Sequence, residues 1–231
     1  MITEGRTTSA TKTDALQHPV FARFYMRLAS LAERLGAAEH RTRLLAGLTG
    51  RVIEVGAGHG PNFRHYPSTV SEVLAVEPED TLRAHAQKAA ENAPVTVKVV
   101  AGNADDLPAA NRSMDAAVLS LVLCSVPDPA HALAEITRVL RPGGELRFYE
   151  HVRSPRAPAG LVEDVISPLW SRAAGGCRPN RHTLVTIGAG GFVIDELDQI
   201  PFGVTHVLGC AHLPFAMAPQ LVAHRADTPS Q

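Results

Sequence analysis

The stretch Arg51-Val52-Ile53-Glu54-Val55-Gly56-Ala57-Gly58-His59-Gly60 carries the reading of the whole chain. Its first half is a short aliphatic run of the kind that fills a strand buried on both faces of a parallel sheet. Its second half places glycine at 56, 58 and 60, so the backbone can turn sharply out of the strand and lie close against a ligand. The spacing is G-x-G-x-G followed by Pro61, which differs from the G-x-G-x-x-G of dinucleotide binders. Alone, such a turn is a weak signal, because generic tight turns share it.

Working outward, the same strand pattern returns at residues 73–77, 95–101, 116–121 and 145–151. Between these runs, residues 79–92 and 129–140 have helical spacing, the second with Asp128 as a cap and Pro142-Gly143 as its stop. Strands alternating with helices imply βαβ units and right-handed crossovers, hence an α/β, doubly wound, Rossmann-like sheet. Residues 192–200 and 203–212 add two closing strands, for seven mostly parallel strands in all. Upstream, residues 18–35 predict a helix with Phe21, Phe24, Tyr25, Leu28 and Leu31 at helical spacing, and residues 39–48 predict a second. The aromatic stripe reads either as a core-facing helix or as a lid over the acceptor. After the fifth strand come a Pro-rich loop (153–160), a helix (161–174), a loop (175–179) and a helix (180–189). These form a cap, with Leu161, Val165, Ile166, Leu169 and Trp170 as an apolar wall for a hydrophobic acceptor. One domain spans 18–225, with N-terminal helices at 18–48 and the cap at 153–190, between flexible tails at 1–17 and 226–231.

Composition narrows the partners. Net charge is −1 with no Lys/Arg run, and aromatic residues make up 5%, which disfavours nucleic acid and anionic lipid surfaces. No apolar stretch approaches the ~20 residues of a membrane span, and residues 1–14 are polar, unlike a signal peptide. Cys124, Cys177 and Cys210 are too few and too widely spaced for a disulfide framework or a zinc motif, so no metal is expected. A cytoplasmic enzyme of small molecules fits these properties.

Glu77 ends the second strand, where a carboxylate offers two acceptors to the two ribose hydroxyls of an adenosine ligand. Gly102-Asn103-Ala104-Asp105-Asp106-Leu107-Pro108 follows the third strand, where its amides and polar side chains would meet an adenine edge. With residues 52–60 and Arg138-Val139-Leu140-Arg141-Pro142-Gly143-Gly144, these segments resemble the class I S-adenosylmethionine-dependent methyltransferases across nearly the whole chain. The resemblance implies S-adenosylmethionine as cofactor and S-adenosylhomocysteine as product. It places Gly56, Gly58, His59 and Gly60 along the methionine moiety, Glu77 and the adjoining Pro78 at the ribose, and Glu54 as anchor of the loop and the amino group. By likeness to ubiquinone-biosynthesis methyltransferases, Asn103 and Ala104 would contact adenine, while Ser120 and Leu121 close on the cofactor. A narrower likeness lies in residues 58–67, Leu121-Val122-Leu123-Cys124-Ser125-Val126, Glu150-His151-Val152, Ser167-Pro168-Leu169-Trp170 and Gly176-Cys177. These resemble the methyltransferase-like seven group of animal thiol S-methyltransferases, whose hydrophobic N-terminal anchor has no counterpart in the polar residues 1–14.

That likeness implies a small-molecule acceptor, by preference a thiol. A thiol with a pKa near 8.5 is partly ionised at neutral pH, so a strong base is optional. His151, at the C-terminal end of strand five, is the leading candidate for a base or orienter, and His182 the second. Tyr25, Cys124, Ser125, Glu150, Trp170, Cys177 and Arg181 are candidate acceptor contacts, with the two cysteines read as packed residues rather than nucleophiles. Two alternatives stay open: an oxygen, nitrogen or carbon acceptor on a quinone or secondary metabolite, and a non-catalytic cofactor binder. The chain could act as a monomer or a homodimer.

Overall fold

The computed structural model describes residues 36–200 and 204–215 together with Gln17, Ala22 and Met26. The expected tails apart from Gln17, the helix with Phe21, Phe24, Tyr25, Leu28 and Leu31 apart from Ala22 and Met26, and the first residue of the last strand, Gly203, therefore lie outside the described residues. Gln17, read from sequence as part of a flexible tail, is instead tied down. Its amide donates to Pro78 O at 2.9 Å and accepts from Asp80 N at 3.0 Å.

Seven strands form one sheet in the order β3-β2-β1-β4-β5-β7-β6. They are β1 (Gly50–Val55), β2 (Val70–Val76), β3 (Val97–Val100), β4 (Met114–Ser120), β5 (Leu140–His151), β6 (Val193–Ile200) and β7 (His206–His212). The five strands from β3 through β5 are parallel, and β7 runs antiparallel to both its neighbours. The expected doubly wound, mostly parallel sheet is thus the observed one. The helices are α1 (Ala38–Leu45), α2 (Asp80–Ala90), α3 (Pro129–Val139), α4 (Ala157–Ala173) and α5 (Thr183–Ala189).

The hydrophobic runs of the central strands feed two cores at once. Val52 joins the cluster containing Leu44, Leu45, Val73 and Ala75, whereas Ile53 and Val55 join the one with Leu133, Ile136 and Phe148. Successive side chains point to opposite faces, and both faces are covered, so no polar alternation is needed. Local caps set the helix starts. Glu79 accepts from Leu82 N at 2.7 Å, and Asp128 accepts from Ala130 N and His131 N, with Pro129 supplying the fixed φ of a first helical position. At the sheet's edge, β6 is largely exposed and carries Asp195, Glu196 and Asp198, charges that discourage edge-to-edge pairing.

Several boundaries differ from the pattern reading. Helix α4 begins at Ala157 instead of 161, because Pro158 near its first turn starts a helix as readily as it interrupts a loop. Helix α5 begins at Thr183, since Asn180 is engaged elsewhere, accepting from Ser167 Oγ at 2.7 Å and donating to Asp164. Strand β5 extends back to Leu140 through the Pro-Gly-Gly turn, with a register shift where β4 passes from Met114 to Ala116.

Candidate active site

The ends of β1, β2, β4 and β5 open on one edge of the sheet, the crevice where open α/β folds hold ligands. The glycine turn leaves β1 there. Gly56, Gly58 and Gly60 all have positive φ, at 69°, 59° and 83°. A Cβ on Gly56 would lie 2.7 Å from Val122 Cγ2, so this turn and the loop after β4 are packed in direct contact. Glycine is required twice over at this position, by conformation and by space.

Glu77 stands beyond the last residue of β2 and bridges two loops. One carboxylate oxygen accepts from Gly58 N at 2.7 Å and the other from Glu79 N at 2.9 Å. Burial raises its pKa, while those two N–H groups pull the other way. Each oxygen is engaged once, which leaves acceptor capacity for two ribose hydroxyls. Pro78 is held by its carbonyl, which accepts from Gln17 and Arg83. Asn103 folds back to accept from Asp105 N at 2.9 Å, and Ala104 is buried beside it. An adenosine group bearing a sulfonium therefore fits what is present: an open backbone turn, a carboxylate with spare acceptors, and a short polar loop after β3.

Glu54, on β1, is fully enclosed. It accepts from Asn62 Nδ2 at 2.8 Å and from Tyr66 Oη at 2.7 Å. Arg41 on α1 reaches over to donate to Asn62 Oδ1 at 2.7 Å and to Ser120 Oγ at 3.2 Å. Burial pushes the Glu54 pKa from the usual carboxylate range up to about 7, against the lowering effects of Tyr66, Asn62 and Arg41. A folded-state pKa above the unfolded value means the native protein holds the proton to higher pH. Stability from this group is full below about pH 4.5 and is lost as pH rises to about 7. The swing is on the order of 3 kcal/mol, from about 1.4 kcal/mol per pKa unit. We expect E54Q, which imitates the protonated form, to flatten this part of the stability profile. Its melting temperature should exceed that of the wild type by roughly 6–12 °C at pH 8, and the difference should shrink to about 2–3 °C at pH 5. A gap that is the same at both pH values would show that Glu54 does not titrate in this range.

Beyond β4 the chain takes a strained turn. Leu121 has φ 62°, a left-handed conformation that costs a non-glycine residue on the order of 1–2 kcal/mol. Glu150, near the end of β5 and fully buried, holds this turn. Its carboxylate accepts from Val122 N, Leu123 N and Cys124 N at 2.8, 2.9 and 3.0 Å. Burial raises its pKa, opposed by those three donors. Read from sequence as an acceptor contact, Glu150 faces the backbone of its own protein instead.

His151, Cys124 and Cys177 converge next to it. His151 Nδ1 lies 3.3 Å from Cys177 Sγ and 3.6 Å from Cys124 Sγ, and the two sulfurs are 3.6 Å apart. All three residues are buried. The neighbouring Cys177 and burial raise the pKa of Cys124, while Cys124 and His151 lower that of Cys177. Around the histidine stand His206, with ring centroids 4.2 Å apart, and Trp170, edge-on at 6.3 Å. Tyr149 stacks on His206 at 5.4 Å and meets His40 at 5.7 Å. Burial and the neighbouring His151 hold the His206 pKa down to about 4, so it is a neutral imidazole at physiological pH.

The other expected residues divide. Ser125 sits beside Cys124, with Oγ 3.5 Å from Sγ. Arg181 donates to Leu123 O at 2.5 Å and so braces the loop after β4. His182 is exposed at the start of α5, near Asp164 rather than the cysteines. The apolar wall expected of α4 is not formed as read. Leu161, Val165 and Leu169 are exposed, and the helix buries Gly160, Glu163 and Ser167 instead. Tyr25 lies outside the described residues. Sequence reasoning missed Arg41, Asn62, Tyr66, His40, Tyr149 and His206. Of these, Asn62 and Tyr66 had a usable signal, since they lie in the 58–67 stretch that carries the narrower likeness; His206 meets His151 only through the antiparallel register of β5 and β7.

A family profile described as a methyltransferase domain matches residues 53–148. Thiol S-methyltransferase TMT1B of Mus musculus is 36% identical over 186 residues, 78% of this chain and 75% of that protein. TMT1B of Rattus norvegicus is also 36% identical, over 154 residues that make up 65% of this chain. The chain spans 63% of the length of the rat relative. An S-adenosylmethionine-dependent methyltransferase of Mesorhizobium loti superposes with a TM-score of 0.59 at 21% identity, covering 77% of this chain and 98% of that one. The glycine turn, the strand-end carboxylate and the 3-2-1-4-5-7-6 sheet are those of the class I S-adenosylmethionine-dependent methyltransferase fold. Within that class, the chain belongs to the family that contains the thiol S-methyltransferases TMT1B. No helix among the described residues is long and apolar enough to cross a membrane.

Proposed function

We propose that this protein transfers the methyl group of S-adenosylmethionine to the sulfur of a small-molecule thiol. The observation that carries the reading is the meeting, on one sheet edge, of a cofactor cradle and a cluster of soft donors. Gly56 touches Val122, and Val122 lies two residues from Cys124 in a loop tied to Glu150 beside His151. The relatives named as thiol S-methyltransferases support the same acceptor. When bound, the cofactor supplies a methyl group activated by a sulfonium charge.

The protein's own part is largely placement. Glu77 and Pro78 fix the ribose, with Asn103 and Ala104 at the base, and the turn at Gly56, Gly58, His59 and Gly60 runs along the methionine moiety. Glu54 and the Arg41–Asn62–Ser120 network hold the methionine end, with Leu121 closing over it. Holding two reactants in line can account for up to roughly 7–11 kcal/mol of barrier reduction. His151, with Cys124, Ser125, Cys177 and Trp170 around it, receives the acceptor. His206 adds an uncharged aromatic surface. The balanced charge supports a cytoplasmic location.

The test is a panel of thiols, phenols, amines and quinols incubated with purified protein and methyl-labelled cofactor. Aryl or alkyl thiols are expected to yield thioethers at rates at least ~10-fold above any other acceptor. Label on oxygen, nitrogen or carbon with thiols untouched would replace the acceptor. Tight cofactor binding with no product across the panel would make the chain a binder.

A further inference from the structure

We propose that Cys124, His151 and Cys177 form a three-ligand site for a thiophilic divalent cation, zinc above all, whose fourth position takes the acceptor as its thiolate. The second half of this statement rests on the thiol reading above; the first does not.

The geometry is the starting point. A tetrahedral zinc with bonds of about 2.3 Å to sulfur and 2.0–2.1 Å to nitrogen sets its sulfurs about 3.8 Å apart and each sulfur about 3.5 Å from the nitrogen. The corresponding separations here are 3.6 Å between sulfurs, and 3.6 and 3.3 Å from sulfur to His151 Nδ1. The three donors already stand at the corners of a ligand triangle and need shifts of only a few tenths of an ångström. Two thiolates and an imidazole are soft and borderline donors, which select zinc over magnesium or calcium. Because residues 124 and 177 are 53 positions apart, only the fold assembles the set, and no spacing motif in the sequence announces it.

The ligands are also held from behind. Cys124 is fixed on both sides, its N–H donating to Glu150 at 3.0 Å and its carbonyl accepting from Arg178 N at 2.8 Å. Cys177 N donates to Ala174 O at 3.1 Å, and the His151 carbonyl accepts from Thr183 Oγ1 at 3.3 Å. These bonds fix the main chain that carries each ligand.

Among the described residues the cluster offers three ligands, and three protein ligands are the pattern of a zinc that keeps a position open. Zinc bound by two thiolates and a neutral imidazole carries no net charge, so a third thiolate brings one negative charge toward the cationic sulfonium. The step balances as follows. The acceptor thiol loses its proton to solvent as its sulfur binds the metal. The thiolate then attacks the methyl carbon, forming the new S–CH3 bond while the old one breaks, and that electron pair stays on the cofactor sulfur as a neutral thioether. The methylated product, a weak ligand, leaves, and another thiol replaces it.

The experiment uses the full chain, purified in reductant without chelators. Elemental analysis is expected to find about one zinc per chain, falling at least tenfold in C177S and C124S and unchanged in C210S, whose cysteine lies on β7 away from the cluster. Where a variant does not fold, cobalt(II) titration of the wild type decides. It should produce a thiolate-to-cobalt charge-transfer band that intensifies when thiophenol is added. Removing the metal is expected to slow thiol methylation at least 100-fold while S-adenosylhomocysteine binds as before, and one equivalent of zinc should restore the rate. No zinc and no cobalt band in protein with free thiols would overturn the site. A band that ignores thiophenol, with full turnover in metal-free enzyme, would overturn the open position and leave the thiol reading standing. Metal bound through both cysteines, with no thiol methylated, would leave the metal site standing and overturn the thiol reading, and the open position with it.

Discussion

Replacing Glu77 by alanine is expected to weaken S-adenosylhomocysteine binding at least ~100-fold, since each hydrogen bond to a charged group contributes roughly 1.5–3 kcal/mol. In the proposed complex the carboxylate makes two such bonds to the ribose. It also carries the two tethers seen here, from Gly58 N and Glu79 N, so its loss frees the glycine turn that shapes the methionine end. E77Q keeps one good acceptor oxygen and should fall between the two, at a loss of about tenfold. Calorimetric titration of the three proteins tests this, with thermal melting run beside it to show that each is folded. An alanine variant within about threefold of wild-type affinity would remove Glu77 from the ribose.

The centre of the sheet was legible in the sequence because its strands are buried on both faces, which leaves uninterrupted aliphatic runs between turn residues. Residues 73–77 and 116–121 were found to within a few residues of β2 and β4 for that reason. The cofactor half of the site was legible too, because a glycine turn and a strand-end acid are local features of chain order. The acceptor half was not. Cys124, His151 and Cys177 come from three separate segments; the sequence marks His151 as a candidate base or orienter and the cysteines as packed acceptor contacts, but nothing in chain order says that the three meet. Glu150 misled for the opposite reason. Its position at a strand end marked it as facing a ligand, whereas the strained turn at Leu121 supplies three N–H groups that claim its carboxylate first. Helix α4 was misjudged because its apolar residues suggested a buried wall, although several of them are exposed.

Glu150 gives the second large effect, and it concerns stability. In E150A the N–H groups of Val122, Leu123 and Cys124 lose their acceptor inside a cavity the size of the missing carboxylate. Each buried, unsatisfied donor costs about 1–3 kcal/mol, and a domain has only about 5–15 kcal/mol in total. With about 2–4 °C per kcal/mol for a chain of this length, the melting temperature should drop by roughly 10 °C or more. E150Q separates the tethering role from the charge. Its carboxamide oxygen can keep the pair from Val122 and Leu123, while its NH2 group faces the Cys124 N–H, a donor against a donor. One bond of three is lost, so the melting temperature should fall by only a few degrees. The two variants should also differ in how readily Cys124 reacts with a thiol reagent well below their melting points. In E150A the left-handed Leu121 is no longer held and the loop can relax, so labelling should be fast. In E150Q it should stay close to the slow rate of the buried wild-type thiol. If E150A melts within about 2 °C of the wild type, Glu150 does not hold the loop, and the link from the end of β5 to the wall of the glycine turn has to be sought elsewhere.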